Sequence, residues 1–67
     1  MRFVQFLQSH ASTGRFHLVV GSRGGEIREV TTACGLHDLE TFIENEVGTR
    51  EEADPLCRKC ARQLDAQ

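Results

Sequence analysis

The run Cys57-Arg58-Lys59-Cys60, with Cys34 upstream, limits most strongly what this chain can fold into. Two cysteines three positions apart at a loop-to-helix junction can both reach one ion, and the amino end of a helix favours thiolate charge. Three cysteines is an odd number, whereas a small secreted domain usually carries an even disulfide framework. A metal is therefore expected in place of a disulfide. A thioredoxin-like use of the C-x-x-C would require a βαβ scaffold, for which 67 residues leave no room. One structural Zn²⁺ is the predicted cofactor. Iron in a rubredoxin-like site is the weaker alternative, because only three cysteines are present.

The size of the chain points the same way. At 7.5 kDa, with four Phe and neither Trp nor Tyr, it is expected to form a single zinc-binding domain over residues 1–67 whose core alone is marginal. Zinc bound by a closed set of four ligands can supply on the order of 10 kcal/mol, which is large against the few kcal/mol such a core leaves over. So small an interior cannot spare the pocket of about 300–1,000 Å³ that substrates usually occupy, so the chain is not expected to be an enzyme. No catalytic residue is assigned. Ser9, Ser12 and Ser22 lack a G-x-S-x-G setting, and the glycine cluster Gly21-Ser22-Arg23-Gly24-Gly25 lacks the Lys-Ser/Thr of a phosphate loop.

Hydrophobic periodicity places the elements. Arg2–Gln8 alternates weakly and reads as a strand buried on part of both faces, and Ser9–Gly14 as a polar loop. Arg15–Val20 and Ile27–Ala33 are rich in β-branched and aromatic residues and flank the glycine cluster, which predicts a hairpin. Leu36, Leu39, Ile43 and Val47 then fall at helical spacing among acidic residues, which predicts a helix over about 37–47 stopped by Gly48. Thr49 and Glu52 could form a capping box for a short turn. Asp54-Pro55 reads as the start of a terminal helix running through Leu56–Ala66. The expected class is α+β: a zinc-stabilised, two- to three-stranded antiparallel sheet followed by two helices, like a zinc ribbon or treble clef.

Cys34, Cys57 and Cys60 leave one ligand to be supplied by His10, His17 or His37. If the hairpin turns on Gly24-Gly25, His17 lies opposite Thr32, and Cys34 is its diagonal neighbour on the same face, within reach of a shared ion. That register puts His17, Val19, Val30, Thr32 and Cys34 on one face and Phe16, Leu18, Val20, Ile27 and Ala33 on the other. A five-residue loop over Gly21–Gly25 would instead set His17 against Glu29, about 16 Å from Cys34. His37 is the alternative fourth ligand, since Cys34-Gly35-Leu36-His37 is itself a C-x-x-H matched to the later C-x-x-C. His10, in a polar loop, is most simply solvated.

The runs His17-Leu18-Val19, Thr32-Ala33-Cys34-Gly35 and Pro55 to Arg62 resemble the small zinc-finger proteins, with one histidine and three cysteine ligands, that actinobacteria and their phages encode. In that family a strand histidine precedes a Thr-x-Cys-Gly and a terminal C-x-x-C rich in Arg and Lys. The likeness spans residues 15–64 and implies His17, Cys34, Cys57 and Cys60 as ligands. The long acidic helix expected between Cys34 and Cys57 departs from the family pattern, and the resemblance implies zinc more than any particular activity.

Charge frames the choice of partner. The formal net charge is −2, but Leu36–Asp54 holds seven acids against Arg50 alone, and the remainder is net basic. One reading is a regulatory protein–protein interaction module that presents Asp38, Glu40, Glu44 and Glu46, or the edge of the sheet, to a basic partner. The alternative is a nucleic-acid-binding zinc finger using Arg58, Lys59 and Arg62, with Arg15, Arg23 and Arg28 of the hairpin, against which stand the net charge and the missing Tyr and Trp. Phe3, Phe6 and Leu7 exceed what a small core readily buries, so a homodimer is a further expectation. No apolar run would cross a bilayer and the first residues lack a secretory signal pattern, so no membrane partner and a cytoplasmic location are expected.

Overall fold

Phe3, Val4 and Phe6 are all but fully buried, so the strand they form, β1 (Phe3–Phe6), must have both faces covered and neighbours on both edges. The computed structural model, which describes residues 1–7 and 14–66, shows how this is met. Four further strands follow: β2 (His17–Arg23), β3 (Glu29–Thr32), β4 (His37–Leu39) and β5 (Ile43–Val47), then one helix, α1 (Arg58–Asp65). The five strands form one antiparallel sheet in the order β4-β3-β2-β1-β5. Pairing of Phe3 with Leu18 and Val47, and of Val4 with His17 and Glu46, places β1 between β2 and β5.

Two apolar clusters line the sheet. Phe3, Phe16, Leu18, Ala53 and Cys60 form one, with Leu56 and Leu64 packed against it; Val4, Phe6 and Val30 form the other, joined by Val19, Phe42 and Ile43. The expected faces hold only in part: Phe16, Leu18 and Ala33 are separated from Val19 and Val30, but Cys34 packs with Phe16 and Leu18, and Val20 and Ile27 are exposed.

The expected architecture of two or three strands followed by two helices is corrected. The sheet has five strands, and α1 is the one α-helix among the described residues. The predicted helix over 37–47 is instead β4, a single 3₁₀ turn at Glu40–Phe42, and β5. The spacing of Leu36, Leu39, Ile43 and Val47 suits a helix, but so few apolar residues do not fix a period, and a register shift at Glu44 sends Val47 and Ile43 to different clusters. Tertiary context decides, because β1 needs a second strand and β5 provides it. Gly48 therefore follows a strand, not a helix. Pro55 does not open the terminal helix either: the Asp54-Pro55 bond is cis, and Cys57 is the N-cap of α1.

Neither anticipated hairpin register occurs. Arg23 pairs with Glu29, Ser22 with Val30 and Gly21 with Thr31, so the loop is Gly24–Arg28. Gly24 has φ +113°, and a Cβ there would overlap the Ile27 carbonyl, which requires glycine. A bulge at Val20 then shifts the register, and Val19, not His17, faces Thr32. Continued past the bulge, this register brings His17 level with Cys34; without it Leu18 would stand there. His10 and most of the expected Ser9–Gly14 loop lie outside the described residues.

Candidate metal centre

Three consecutive residues of one strand region organise the site. Phe16 forms a parallel bridge to Leu56: its N–H donates to the Pro55 carbonyl, and its own carbonyl accepts from the Cys57 N–H, both at 2.8 Å. This fixes Cys57 beside His17. The Leu18 carbonyl accepts from the Ala33 N–H at 2.9 Å, which holds the Cys34 turn, and the Leu18 backbone N–H reaches the Cys60 sulfur. His17 lies between them, 4% exposed.

The Cys34 turn is closed by its own hydrogen bonds. Gly35 N–H donates to the Thr32 carbonyl at 3.0 Å and Thr32 N–H to the Leu36 carbonyl at 2.9 Å, a geometry that puts Gly35 at φ +92°. The buried Thr32 hydroxyl accepts from Leu36 N–H at 3.1 Å, leaving its proton for Cys34 Sγ, also at 3.1 Å. Sequence reasoning gave Thr32 no role of its own; the signal was the Thr-Ala-Cys-Gly run.

The donor atoms of His17, Cys34, Cys57 and Cys60 all lie within 4.8 Å of one another. His17 Nδ1 is 3.5 Å from Cys34 Sγ and 4.0 Å from Cys60 Sγ. Zn–S and Zn–N bonds in a tetrahedron imply N···S separations of about 3.5 Å and S···S of about 3.8 Å, so the His17–Cys34 separation matches and the cluster as a whole is close enough to hold one ion. His17 Nε2 is buried with no hydrogen-bond partner among the described residues. Coordination through Nδ1 would keep the ring proton on Nε2, so the unpaired Nε2 is compatible with a metal and the fit rests on the donor set and its spacing. The residues therefore fit a metal, and three thiols with one imidazole are the donor set of structural zinc.

Protonation follows from the same contacts. Burial pushes the His17 imidazole below its ordinary value, keeping it in the neutral form that binds metal. Burial pushes the Cys60 thiol up to about 12, against the Leu18 N–H, with the charges of Cys34 and Cys57 adding to the rise. Burial also acts upward on Cys34, but hydrogen bonds from Thr32, the Leu36 backbone, Cys60 and Cys57 together bring it below the ordinary thiol value. All three cysteines are free thiols, Cys60 buried and the other two half-buried.

The other candidates lie elsewhere. His37 has its Nδ1 3.3 Å from Thr31 Oγ1 and 3.9 Å from a Glu29 carboxylate oxygen, outside the donor cluster, with its side chain 63% exposed. Asp38, Glu40, Glu44 and Glu46 do not share a helix: they fall on β4, the 3₁₀ turn and β5, and Arg2 pairs with Glu40 at 2.9 Å and Glu46 at 2.8 Å. Arg58, Lys59 and Arg62 are exposed on α1. Two surface clefts of about 380 and 400 Å³ are lined by none of the four metal donors. No described helix is long and apolar enough to cross a membrane.

No protein-family model, curated protein or solved structure matches the chain. Fold and site define a small antiparallel-sheet domain with a candidate metal centre of one histidine and three cysteines. The likeness to actinobacterial and phage zinc fingers rests on that ligand motif, and nothing in the comparisons bears on the origin of the chain.

Proposed function

We propose that this chain is a zinc-folded, non-catalytic binding module of regulatory type whose partner is a protein. The observation that carries the reading is the convergence of four donors from β2, the β3–β4 turn, the Leu56 segment and α1 on one closed site. Four protein ligands leave no open position for a water nucleophile, so the metal would fix the fold and supply no chemistry to a substrate.

The partner surface this reading favours is β5. It lies at one edge of the sheet, and Glu44, Asn45 and Glu46 are exposed on it. An added strand gains main-chain hydrogen bonds at such an edge, and a Lys- or Arg-bearing one is matched to Glu44. The test is to titrate a synthetic peptide of alternating Lys and Val into the zinc-loaded protein and follow backbone amides by NMR. Shifts centred on Ile43–Val47 support the reading, and an unchanged β5 at saturating peptide removes it.

A further inference from the structure

The outer face of α1 carries a second charged surface that the β5 reading does not use. Arg58, Lys59 and Arg62 are exposed, and none of their side chains has a hydrogen-bond or ion-pair partner among the described residues. At helical geometry they fall within about 100° of arc, with Gln63 beside Lys59. The opposite face is committed to the protein interior through buried Cys60 and half-buried Ala61 and Leu64. Acidic Asp65 at the end of the helix is occupied by Arg50 at 2.8 Å.

The make-up of this face selects its partner. Apart from Ala66 and Asp65, whose carboxylate is held by Arg50, it offers cationic and amide side chains, with no exposed aromatic ring to fill a partner's pocket. Cationic and amide donors are what phosphate oxygens and base edges accept. Single strands are bound largely by stacking bases on aromatic rings; the chain has no Trp or Tyr, and Phe3, Phe6 and Phe16 are buried. The deep, narrow major groove of double-stranded RNA excludes a helix, whereas that of B-form DNA admits one. We propose that α1 binds duplex DNA, with Arg58, Lys59 and Arg62 contacting phosphates along the major groove. The zinc centre serves this surface by holding the start of the helix through Cys57 and Cys60.

The test is fluorescence anisotropy of a labelled mixed-sequence duplex of about 20 base pairs, using the zinc-loaded full chain, with zinc content measured on the same samples. Three phosphate contacts imply a salt slope of about −2.7, so affinity should fall about 40-fold between roughly 50 and 200 mM salt. The combined variant Arg58→Gln, Lys59→Gln, Arg62→Gln should keep its zinc and lose binding, and Arg62→Gln alone should flatten the slope by about 0.9. No binding by zinc-loaded protein at about 100 μM in low salt, the weak end of non-specific affinity, overturns the proposal. So does unchanged binding by the triple variant, or a preference for poly-glutamate over the duplex. Absence of zinc from the wild type would instead overturn the zinc reading, so the two failures are distinguishable.

Discussion

His17 Nδ1 stands 3.5 Å from Cys34 Sγ, although 17 positions separate the two residues and a bulge lies on the strand between them and the hairpin loop. The bulge at Val20 makes this contact. It changes which residue of β2 arrives opposite the Cys34 turn, replacing the apolar Leu18 with an imidazole, while Leu18 turns into the cluster with Phe3 and Phe16.

His37→Ala should leave one zinc per chain and an unchanged affinity. Its ring is on the surface beside Thr31 and Glu29, and its loss opens no coordination position. Metal content after dialysis, with chelator competition for affinity, checks this.

Thr32→Val keeps the shape but removes the hydroxyl that accepts from Leu36 N–H and donates to Cys34. The half-buried Leu36 N–H keeps its contact to the Cys34 sulfur, so the lost hydrogen bond costs about 0.5–1.5 kcal/mol. Loss of a hydrogen bond to a ligand typically lowers metal affinity roughly 10- to 100-fold. Thermal unfolding and chelator competition measure the two effects separately.

Gly35→Ala meets no neighbouring atom, so its cost is purely conformational: φ +92° is strained for any residue with a Cβ. Destabilisation of about 1–2 kcal/mol is expected. Gly25→Ala, at a position with equal space and no positive φ, is the control and should stay close to wild type.

Zinc affinity should rise with pH. Cys60, pushed up to about 12 without metal, carries a proton at neutral pH that binding must expel, so affinity falls at least about tenfold for each unit of acidification. His17 acts in the same direction. Its folded value is depressed, so its contribution to stability is present above the unfolded value of 6.5 and lost as pH falls through the folded one. Zinc titrations with a pH indicator in weak buffer read the proton release directly.

Arg2 ties the start of the chain to β5 and the 3₁₀ turn through Glu46 and Glu40. The hydrogen bond from Arg2 holds the Glu46 carboxyl below its ordinary 4.5, so this stability is present above 4.5 and lost as pH falls through the lower folded value. Both groups are more than a third exposed, which limits Arg2→Ala to at most about 1 kcal/mol at low salt. Denaturant midpoints of the two proteins should converge in acid and in high salt.

Local chemistry made much of the site legible. The C-x-x-C and the glycine after Cys34 each carry a physical requirement that can be read locally. Spacing does not separate His17 from His37 and the hairpin register that favours His17 does not form, yet the structure brings His17 together with Cys34, Cys57 and Cys60. Strand β1, the hairpin strands and α1 were legible for the same reason. Long-range pairing was not. Ile43–Val47 becomes a strand because β1 needs a second neighbour, and Gly21, inside β2 beside Val20, permits a bulge without fixing that one forms there. The Phe16–Leu56 bridge, which carries Cys57 to the site, joins segments 40 residues apart and leaves no local pattern.

The central claim is that one zinc ion, held by His17 with the three cysteines, folds this chain. Native mass spectrometry of the wild type, His17→Ala and His37→Ala, before and after a chelator, tests it most directly. One zinc in the wild type and His37→Ala, removed by chelator together with a shift to the broad, high charge states of an unfolded chain, and no zinc in His17→Ala, is the expected result. A metal-free wild type that keeps its compact charge states, or Cys57 and Cys60 found joined as a disulfide, would contradict it.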